Sequence, residues 1–309
     1  MKNKVLAIII PCKNEEEIIE ESNAKLLEIL GIITSSNAAS TNSFLLYVED
    51  GSTDTTWEKI KELSQKSNSV KGIRLERNVG QQHALRQGLL YALDKADVFV
   101  TIDIDLQDDP YAICEMVKKY NEGAKIVYGV RDNRDSDSLL KRFLSWGYYN
   151  TLKILGVKSI KNHSEFRLMD KEVVKEITKY NNSNLYLRGL CHKMDVKSDE
   201  VHYPRYPRTK GQSKYNYQRL VQTAFDGITT AGDIPLLFIV YFGVFNLLLG
   251  AAMFIANMFN SQIIYGLLFS MFGIIEITIG LIGQYIARIL MQLQMPKEVN
   301  IIDKTKDRK

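Results

Sequence analysis

Two long apolar runs close to the C-terminus limit the folds open to this chain more strongly than any other part of its sequence. Residues 234–257 read IPLLFIVYFGVFNLLLGAAMFIAN and contain no charged side chain. Residues 263–287 form a second run, interrupted by Glu276 and Gln284, and an uncharged link at residues 258–262 joins the two. Because about 20 apolar residues in a helix cross the ~30 Å hydrocarbon core of a bilayer, we expect a hairpin of two transmembrane helices. A buried helical hairpin in a large soluble core is the alternative.

Basic residues flank this hairpin on both sides and predict its orientation. They are Lys210, Lys214 and Arg219 before it, and Arg288, Lys297, Lys304, Lys306, Arg308 and Lys309 after it. Since Lys and Arg are retained on the cytoplasmic side, we expect a multi-pass protein of the cytoplasmic membrane with both termini and a tail at residues 289–309 in the cytoplasm. Residues 215–233 have the spacing of an interfacial amphipathic helix, a pattern that an ordinary domain helix shares. Glu276 is costly in lipid, and its role is open.

The charge and the cysteine content exclude several classes of protein. The chain carries 40 basic and 36 acidic residues, a formal net charge of +4, which is too small an excess for a polybasic tail that binds nucleic acid. The three cysteines lack Cys-x-x-Cys spacing. We therefore expect neither a disulfide framework nor a thiolate metal site, and the pattern is typical of a reducing compartment.

The sequence before the apolar runs alternates between strand-like and helix-like segments. The strand-like runs are Val5–Ile10, Phe44–Val48, Val70–Leu75, Val98–Ile102 and Lys125–Val130. Segments rich in Glu, Lys, Leu and Ala separate them. This alternation predicts an α/β fold in which helices cover both faces of a mostly parallel sheet. We expect one domain over residues 1–214.

Polar and acidic residues follow four of these strands. They are Pro11-Cys-Lys-Asn-Glu15, Glu49-Asp-Gly-Ser-Thr-Asp54, Arg77-Asn-Val-Gly-Gln-Gln-His83 and Asp103-Ile-Asp-Leu-Gln-Asp108. Ligands of open α/β sheets bind beyond the carboxyl ends of the strands, so we expect the four loops to form one site. The segment Asp50–Asp54 taken alone also fits a capped turn. The chain has neither a Gly-x-Gly-x-x-Gly after its first strand nor a P-loop motif, so a nucleotide would be held in another way.

Asp103, Asp105 and Gln107 alternate at the end of the fourth strand, so their side chains can project toward one point. Oxygen ligands of this kind suit Mg²⁺ or Mn²⁺ that is shared with a diphosphate. The alternative is a group of acids that caps the next helix, as Asp108 or Asp109 is expected to do.

Five motifs, in this order, resemble family 2 glycosyltransferases of the GT-A fold. They are Pro11-Cys-Lys-Asn-Glu-Glu16, Glu49-Asp-Gly-Ser-Thr-Asp54, Asn78-Val-Gly-Gln-Gln-His-Ala84, Asp103-Ile-Asp-Leu-Gln107 and Glu165-Phe-Arg-Leu-Met-Asp170. More narrowly, the chain resembles the polyprenyl-phosphate glycosyltransferases, a group that includes bactoprenol glucosyltransferases and dolichol-phosphate mannose synthases. The resemblance covers nearly the whole chain, including the block Arg205–Tyr215 and the apolar hairpin.

This resemblance implies a membrane-bound, inverting enzyme that moves one hexose from a nucleotide-sugar to undecaprenyl phosphate, giving a lipid-linked sugar for cell-envelope glycosylation. The motif match implies that Asp103, Asp105 and Glu165 are catalytic. It also implies that Asp105 and Gln107 hold Mg²⁺ or Mn²⁺ on the diphosphate. The implied ligands of the nucleotide-sugar are Pro11, Glu15, Asp50, Gln81 and Asp103.

The acceptor phosphate would require cations more than a strong base. A phosphate monoester, with a second pKa of about 6, is largely ionised at neutral pH. The side chains suited by type to bind it are Arg131, Arg134, Lys141, Ser145, Arg208 and Lys214. Each could instead be a solvated surface group or contact a lipid headgroup; we favour phosphate binding for Arg131 and Arg208 and leave the others open.

One motif departs from the family pattern. Relatives often show Asp-x-Gly-Asp before Phe-Arg, whereas this chain has Asn162-His-Ser-Glu165. An amide at residue 162 does not act as a base, so the identity of any general base is open, and the difference is consistent with another sugar. Glu165 is expected to orient sugar hydroxyls or to assist the acceptor.

The resemblance favours UDP-glucose or UDP-N-acetylglucosamine as the donor, with a GDP-mannose-dependent mannose synthase as the alternative. A processive polysaccharide synthase would be expected to carry Gln-x-x-Arg-Trp, and neither Trp57 nor Trp146 has that context. A non-catalytic membrane scaffold is disfavoured because the Asp-x-Asp motif, the basic residues and Glu165 all remain. The expected partners are therefore a nucleotide-sugar, a polyprenyl phosphate and a membrane, without nucleic acid, and a homo-oligomer is left open.

Overall fold

The computed structural model describes residues 4–132, 163–180, 187–204 and 299–305, together with isolated helical positions between residues 271 and 289. The chain divides into two compact units. The first is made of Met1–Arg142, Ile160–Ser213 and Pro296–Lys309, and the second of Phe143–Ser159 and Lys214–Met295. All the described strands belong to the first unit.

The predicted transmembrane hairpin lies almost entirely outside the described residues. Residues 215–233, predicted as an interfacial helix, and residues 234–257 are not among them, and residues 263–287 are described only at isolated positions. In the part of the chain that is described, no helix combines the length and the apolar character needed to cross a membrane.

One sheet of eight strands organises the described residues of the first unit. The strands are β1 (Leu6–Cys12), β2 (Phe44–Glu49), β3 (Val70–Leu75), β4 (Val98–Thr101), β5 (Ile126–Arg131), β6 (His163–Asp170), β7 (Ser198–Tyr203) and β8 (Ile301–Lys304). Their order across the sheet is β7-β5-β6-β4-β1-β2-β3-β8. Strand β1 is parallel to β2 and β4, β2 to β3, and β5 to β7, whereas β6 and β8 run antiparallel to their neighbours. The sheet is therefore mostly parallel, as predicted.

Helices cover both faces of this sheet. Those within the described residues are α1 (Ile19–Ser35), α2 (Thr56–Lys66), α3 (Gln81–Ala92), α4 (Ala112–Asn121), α5 (Lys171–Thr178) and α6 (Leu187–Lys193). Along β1, Leu6 and Ile8 belong to a hydrophobic cluster shared with α1, α2 and α4, while Ala7 and Ile9 belong to a second cluster shared with α3, α5 and α6. Since both faces of β1 are buried, its sequence is apolar throughout rather than alternating.

The five predicted strands are all present, with small differences at their ends. The other three strands have no comparable signal in the sequence. Strand β6 contains the charged residues Glu165 and Arg167, and β7 begins with the polar residues Ser198-Asp-Glu200. Both strands are placed by their neighbours: β6 lies between β4 and β5, and β7 extends the sheet beyond β5.

Strand β8 comes from the segment predicted to be a C-terminal tail. It pairs antiparallel with β3. Trp57 Nε1 donates to Asp303 Oδ2 at 3.1 Å, and Gly72 N donates to Thr305 Oγ1 at 2.9 Å. An edge strand with unpaired backbone groups is open to unwanted pairing, and β8 covers this edge of β3. Residues 301–304 are therefore an integral strand of the domain, which a boundary at residue 214 leaves out.

The order of the strands reverses between β1 and β4. Strands β2 and β3 follow β1 to one side, while β4, β6, β5 and β7 extend to the other. In open α/β sheets, a crevice at such a reversal, outside the carboxyl ends of the strands, is the usual ligand site. The loops after β1, β2 and β4 all begin at this place, which is where the sequence predicted a common site.

Candidate active site

The loops after β1 and β2 are joined to each other by hydrogen bonds. We call residues 13–18 and 50–56 the β1–β2 loop cluster. Asn14 has a left-handed backbone, with φ +54°, and its Oδ1 accepts a bond from Thr53 N at 2.8 Å. Asn14 N donates in turn to Ser52 Oγ at 3.0 Å. Because asparagine adopts this backbone more readily than most residues, Asn14 can turn the chain and still bind the neighbouring loop.

The same cluster places Glu15, a predicted ligand of the nucleotide-sugar. Glu15 N donates to Thr56 Oγ1 at 3.0 Å, and Asp54 Oδ1 accepts from Thr56 N at 3.1 Å and from Thr56 Oγ1 at 2.6 Å. Glu16 Oε2 accepts from Thr55 N at 3.0 Å and from Thr55 Oγ1 at 2.6 Å, and these bonds lower the pKa of Glu16. These hydrogen bonds connect the loop after β1 to the loop after β2.

Pro11 and Glu49 form the base of this cluster. Pro11 is a buried residue of β1 that pairs with Val48 of β2. Glu49, at the end of β2, has no exposed surface; it accepts a bond from Arg74 Nε at 3.1 Å and another from Ser52 N. A buried carboxylate requires partners of this kind. The Glu49–Arg74 ion pair, which the sequence did not indicate, therefore supports the loop that carries Asp50.

Asp50 is buried and holds a third loop in place. Its two carboxylate oxygens accept bonds from Val79 N at 2.7 Å and from Gly80 N at 2.9 Å. Burial raises the pKa of Asp50 although these bonds oppose the rise. The next residue, Gly51, has φ +65°, and a Cβ atom there would lie 2.6 Å from Asn78 N. Asp50 thus lies in the predicted site, where it fixes the loop that leads to α3.

Asp103 and Gln81 meet at the carboxyl end of β4. Gln81 Nε2 donates to Asp103 Oδ1 at 2.6 Å from the first turn of α3. The pKa of Asp103 is raised to about 7, mostly by burial and also by the carboxylates of Asp105, Asp108 and Glu165. Gln81 and Asp103, both predicted ligands of the nucleotide-sugar, are therefore in contact, and four carboxylates give this region an excess of negative charge.

Asp105 and Gln107 lie on a tight turn beyond Asp103. Asp105 Oδ1 accepts a bond from Gln107 N at 3.3 Å, and the intervening Leu106 has a left-handed backbone with φ +54°. A bulky residue rarely adopts this backbone, and strain of this kind clusters at functional sites. Among the described residues, no group of three or more His, Cys, Asp or Glu side chains is arranged to hold a metal ion alone.

Asp108 or Asp109 was expected to cap the next helix. Asp109 Oδ1 accepts a bond from Tyr111 N at 3.1 Å just before α4, but Tyr111 is the N-cap residue of that helix and its side chain makes no capping bond. Asp108 is buried, and its carboxylate accepts two hydrogen bonds from Arg131, one from Nε at 2.7 Å and one from Nη2 at 3.0 Å. Tyr203 donates its hydroxyl to Asp108 Oδ1 at 2.9 Å. Burial lowers the pKa of Arg131, but these partners raise it above its ordinary value. Arg131, a predicted phosphate ligand, is therefore a fixed cation at the site.

Glu165 is likewise paired within the protein. One of its carboxylate oxygens accepts a bond from Arg167 Nη2, and Arg167 is almost completely buried. Arg167 Nη1 donates to Cys191 Sγ at 3.5 Å, while Nε has no hydrogen-bond partner among the residues that the structure describes. The role predicted for Glu165 therefore depends on a buried arginine two residues along the same strand. Its place in the motif Glu165-Phe-Arg167 was the only signal in the sequence for that arginine.

Comparison with known proteins identifies the family to which this site belongs. Residues 7–178 match the family model described as glycosyl transferase family 2. The chain belongs to this family. The match covers more than half of the chain and runs from Ala7 in β1 through β6, so every predicted site residue that the structure describes lies within it, whereas Tyr203 lies outside it.

The relatives of this glycosyltransferase extend over nearly its whole length. It is 37% identical to the uncharacterized glycosyltransferase YkoT of Bacillus subtilis (strain 168), over 97% of this chain and 92% of the relative. It is 32% identical to the SfII prophage-derived bactoprenol glucosyl transferase of Shigella flexneri, over 94% of each chain. A crystal structure of glucosyl-3-phosphoglycerate synthase from Mycobacterium tuberculosis has a TM-score of 0.49 and 15% identity, over 73% of this chain and 76% of that one.

These findings confirm that the chain is an enzyme that transfers a sugar and that its domain has the α/β GT-A fold. Five predicted acceptor ligands of the glycosyltransferase lie outside the described residues. They are Arg134, Lys141, Ser145, Arg208 and Lys214. Asn162, which replaces the acid expected from the family pattern, also lies outside them.

Proposed function

We propose that this glycosyltransferase moves one hexose from a nucleotide-sugar to the phosphate of a polyprenyl phosphate, with inversion at the anomeric carbon. The observation that carries the proposal is the acidic site at the end of β4, in a chain that matches a bactoprenol glucosyl transferase over 94% of both lengths. The product would be a lipid-linked sugar. UDP-glucose and UDP-N-acetylglucosamine are the donors that we favour.

The chemistry of the donor set fits a divalent cation. Burial and, to a smaller extent, the nearby carboxylates of Asp105, Asp108 and Glu165 together raise the pKa of Asp103 to about 7. Asp105 and Gln107 would hold Mg²⁺ or Mn²⁺, with the diphosphate and water as its other ligands. When bound, the cation would neutralise the charge that develops on the departing nucleoside diphosphate. Asp103 and Gln81 would hold the sugar or ribose, and Pro11, Glu15 and Asp50 would define the nucleoside pocket.

The reaction does not require a strong base in the protein. An oxygen of the acceptor phosphate forms a bond to the anomeric carbon as the bond from that carbon to the diphosphate breaks. The acceptor is largely ionised at neutral pH because its second pKa is about 6. What it needs is a fixed cation, and Arg131, whose guanidinium is oriented by its ion pair with Asp108, supplies one. An amide at residue 162 is compatible with such a reaction.

The acceptor also gives a purpose to the apolar runs at residues 234–257 and 263–287. We propose that they cross the cytoplasmic membrane as a hairpin and keep the site close to the headgroup layer, on the cytoplasmic side. A lipid acceptor has its phosphate at that layer and its tail in the hydrocarbon. The support is the length of the uncharged run and the basic residues that flank it.

The experiment uses membranes that contain the full-length protein. They receive Mg²⁺ or Mn²⁺ and one labelled donor at a time: UDP-glucose, UDP-N-acetylglucosamine, UDP-galactose or GDP-mannose. We expect one donor to give a glycolipid that extracts into organic solvent and depends on added undecaprenyl phosphate. Asp105→Asn should reduce transfer about 100-fold or more, since it removes a proposed metal ligand, and chelation with EDTA should abolish transfer.

Asp109→Asn is the matched control. Asp109 is four residues from Asp105, and its side chain accepts a local bond from Tyr111 N. This variant should retain most of the transfer. Label found only in a water-soluble polymer, or an Asp105→Asn variant as active as Asp109→Asn, would contradict the proposed function.

A further inference from the structure

Asp108 joins three parts of the sheet that are far apart in the sequence. It lies on the loop after β4, while Arg131 is the last residue of β5 and Tyr203 the last residue of β7. All three of its contacts are within hydrogen-bond distance: 2.7 and 3.0 Å to the guanidinium and 2.9 Å to the tyrosine hydroxyl. The carboxylate therefore ties the loop that carries Asp105 to the ends of two strands.

The ends of β5 and β7 are themselves held in register. Arg131 and Tyr203 are directly opposite in the parallel ladder, and Asp132 N donates to Tyr203 O at 3.0 Å. The chain leaves the sheet just beyond these residues. In the sequence, Arg134 follows Arg131 closely and Arg208 follows Tyr203 closely. Arg134 and Arg208 both lie outside the described residues, so the inference rests on Asp108, Arg131 and Tyr203.

The position of the Tyr203 ring is fixed by packing as well. It forms an edge-to-face contact with Phe166, with ring centroids 5.3 Å apart and an angle of 68° between the ring planes. A Cβ atom at Gly129 would lie 2.9 Å from both Phe166 O and Tyr203 Cε1. The ring can occupy this position because residue 129 is a glycine. Its hydroxyl is therefore presented to Asp108 by a rigid part of the sheet.

The ion pair fixes the direction of the guanidinium as well as its charge. The Asp108 side chain is 2% exposed and the Arg131 side chain is 23% exposed, so the arginine reaches the surface while its partner does not. Two parallel bonds to one carboxylate orient a guanidinium plane, as a single bond would not. An arginine has five N–H donors, and the ion pair uses one on Nε and one on Nη2.

We propose that Asp108 is a positioning residue for the acceptor. It holds the Arg131 guanidinium in the orientation that binds the acceptor phosphate, and it links the loop that carries Asp105 and Gln107 to the ends of β5 and β7. Tyr203 assists by fixing the carboxylate. This inference rests on the proposed function, since it assigns Arg131 to the acceptor phosphate. Asp108 itself touches neither substrate.

A residue that acts through Arg131 should affect the two substrates differently. In Asp108→Asn, the neutral amide no longer orients the guanidinium. We expect the KM for polyprenyl phosphate to rise about tenfold, while the KM for the nucleotide-sugar stays within about twofold of the wild-type value. In an Arg131→Gln background, Asp108→Asn should cause little further change. Asp109→Asn also removes one carboxylate, at the neighbouring position, and should leave both KM values unchanged.

The measurements are initial rates with the full-length protein in detergent, with each substrate varied in turn, and a thermal midpoint for each variant. If Asp108→Asn does not fold, Tyr203→Phe replaces it, because that variant removes one hydroxyl and leaves the ion pair; its acceptor KM should rise about threefold.

Three results would overturn the positioning role of Asp108, and a fourth would overturn the proposed function on which it rests. An unchanged acceptor KM in a folded variant that still transfers the sugar contradicts the positioning role alone. The same holds if both KM values rise together, or if Asp108→Asn has an equal effect with and without Arg131. A wild-type enzyme that does not glycosylate polyprenyl phosphate contradicts the proposed function, and with it the assignment of Arg131 to the acceptor.

Discussion

The β1–β2 loop cluster and the charged groups at the ends of β4 to β7 are stabilised in different ways. We call Asp108, Arg131, Glu165, Arg167 and Tyr203 the buried ion-pair cluster. In the loop cluster, side chains such as that of Asn14 bond to backbone groups of the neighbouring loop, and several of these groups reach the surface. In the buried ion-pair cluster, charged side chains pair with each other: Asp108 with Arg131 from a distant segment, and Glu165 with Arg167 from the same strand.

The difference has a physical consequence. Water can replace part of a hydrogen bond that is lost near the surface, whereas a buried charge that loses its partner stays uncompensated. Substitutions in the loop cluster should therefore act mainly on the affinity for the nucleotide-sugar. Substitutions in the buried ion-pair cluster should act on stability or on the acceptor. The following four variants test this division, in order of decreasing expected effect.

Arg167→Met should have the largest effect on stability. It leaves the Glu165 carboxylate, whose side chain is 14% exposed, without its partner, at a cost of about 3–5 kcal/mol. The check is the thermal midpoint of the full-length protein in detergent, which should fall by roughly 10 °C.

The control for this variant is Lys179→Met, which breaks the exposed ion pair with Glu176 and should change the midpoint little. Adding Glu165→Gln to Arg167→Met should restore part of the loss, because the uncompensated charge is then gone. If Arg167→Met and Lys179→Met had the same thermal midpoint, the buried ion pair would stabilise the protein no more than the exposed one, which contradicts the expected difference.

Gly51→Ala tests how much the stability and the donor affinity depend on the backbone conformation of the β1–β2 loop cluster. A Cβ atom would lie 2.6 Å from Asn78 N, and φ at this position is +65°, so we expect a loss of about 2 kcal/mol. The loop that Asp50 holds would be displaced, so the KM for the nucleotide-sugar should rise about tenfold while the acceptor KM changes little.

Gly31→Ala in α1 is the matched substitution, since nothing lies within 4 Å of a Cβ atom there. It should leave both KM values unchanged and stabilise the helix by up to about 1 kcal/mol. If Gly51→Ala raised the KM for the acceptor as much as the KM for the donor, the donor side and the acceptor side of the site would not be separable.

Asp170→Asn provides a comparison outside both clusters. Burial raises the pKa of Asp170, but bonds from Tyr120, Glu172 N and Lys125 hold it below its ordinary value of 3.8. Because the pKa is lower in the folded state, the charged carboxylate stabilises the fold at any pH above the pKa of the unfolded chain. This stabilisation is lost as the pH falls through the pKa of the folded state. We expect the variant to lose about 1–2 kcal/mol at neutral pH.

The pH dependence decides this case. The difference between the thermal midpoints of the wild type and Asp170→Asn should be constant from pH 7 to about pH 5 and should shrink as the pH falls below about 4. A difference that stays the same down to pH 3 would mean that the carboxylate stabilises the fold by shape rather than by charge.

Asn14→Ala should have the smallest effect of the four. It removes the acceptor for Thr53 N in an exposed bond and places alanine at φ +54°, which together cost about 1 kcal/mol. The donor KM should rise about threefold, and Asn14→Gly, which keeps the backbone free to turn, should lose less stability. Equal stability of the two variants would show that the left-handed backbone is not a source of strain.

The fold could be predicted from the sequence where the local pattern is strong. Strand β1 is buried on both faces, and a short, continuous apolar run such as Leu6–Ile10 is typical of a strand in the middle of a parallel sheet. Strand β7 begins with exposed and partly exposed polar residues, and β8 is exposed along its whole length, so neither has a local pattern of a strand. Both are strands because β5 and β3 offer them an edge, which is a property of the folded sheet.

The site shows the same limit. Asp103 and Gln81 were placed together because each follows a strand, and the carboxyl ends of parallel strands meet at one edge. The partnership of Asp108 with Arg131 joins residues 23 positions apart, and the sequence suggested a cap instead. Spacing along the chain can predict a local bond but cannot predict which cation will reach a buried carboxylate.

The mass of the lipid product tests the proposed reaction most directly. Purified full-length protein would be incubated with undecaprenyl phosphate, Mg²⁺ and the active donor from the panel, and the extracted lipid analysed by mass spectrometry. We expect a single new species that carries one hexose on the lipid phosphate, and none with Asp105→Asn. A lipid that carries a sugar phosphate or a chain of sugars, or an unchanged lipid with a soluble glycan, would contradict the proposed reaction.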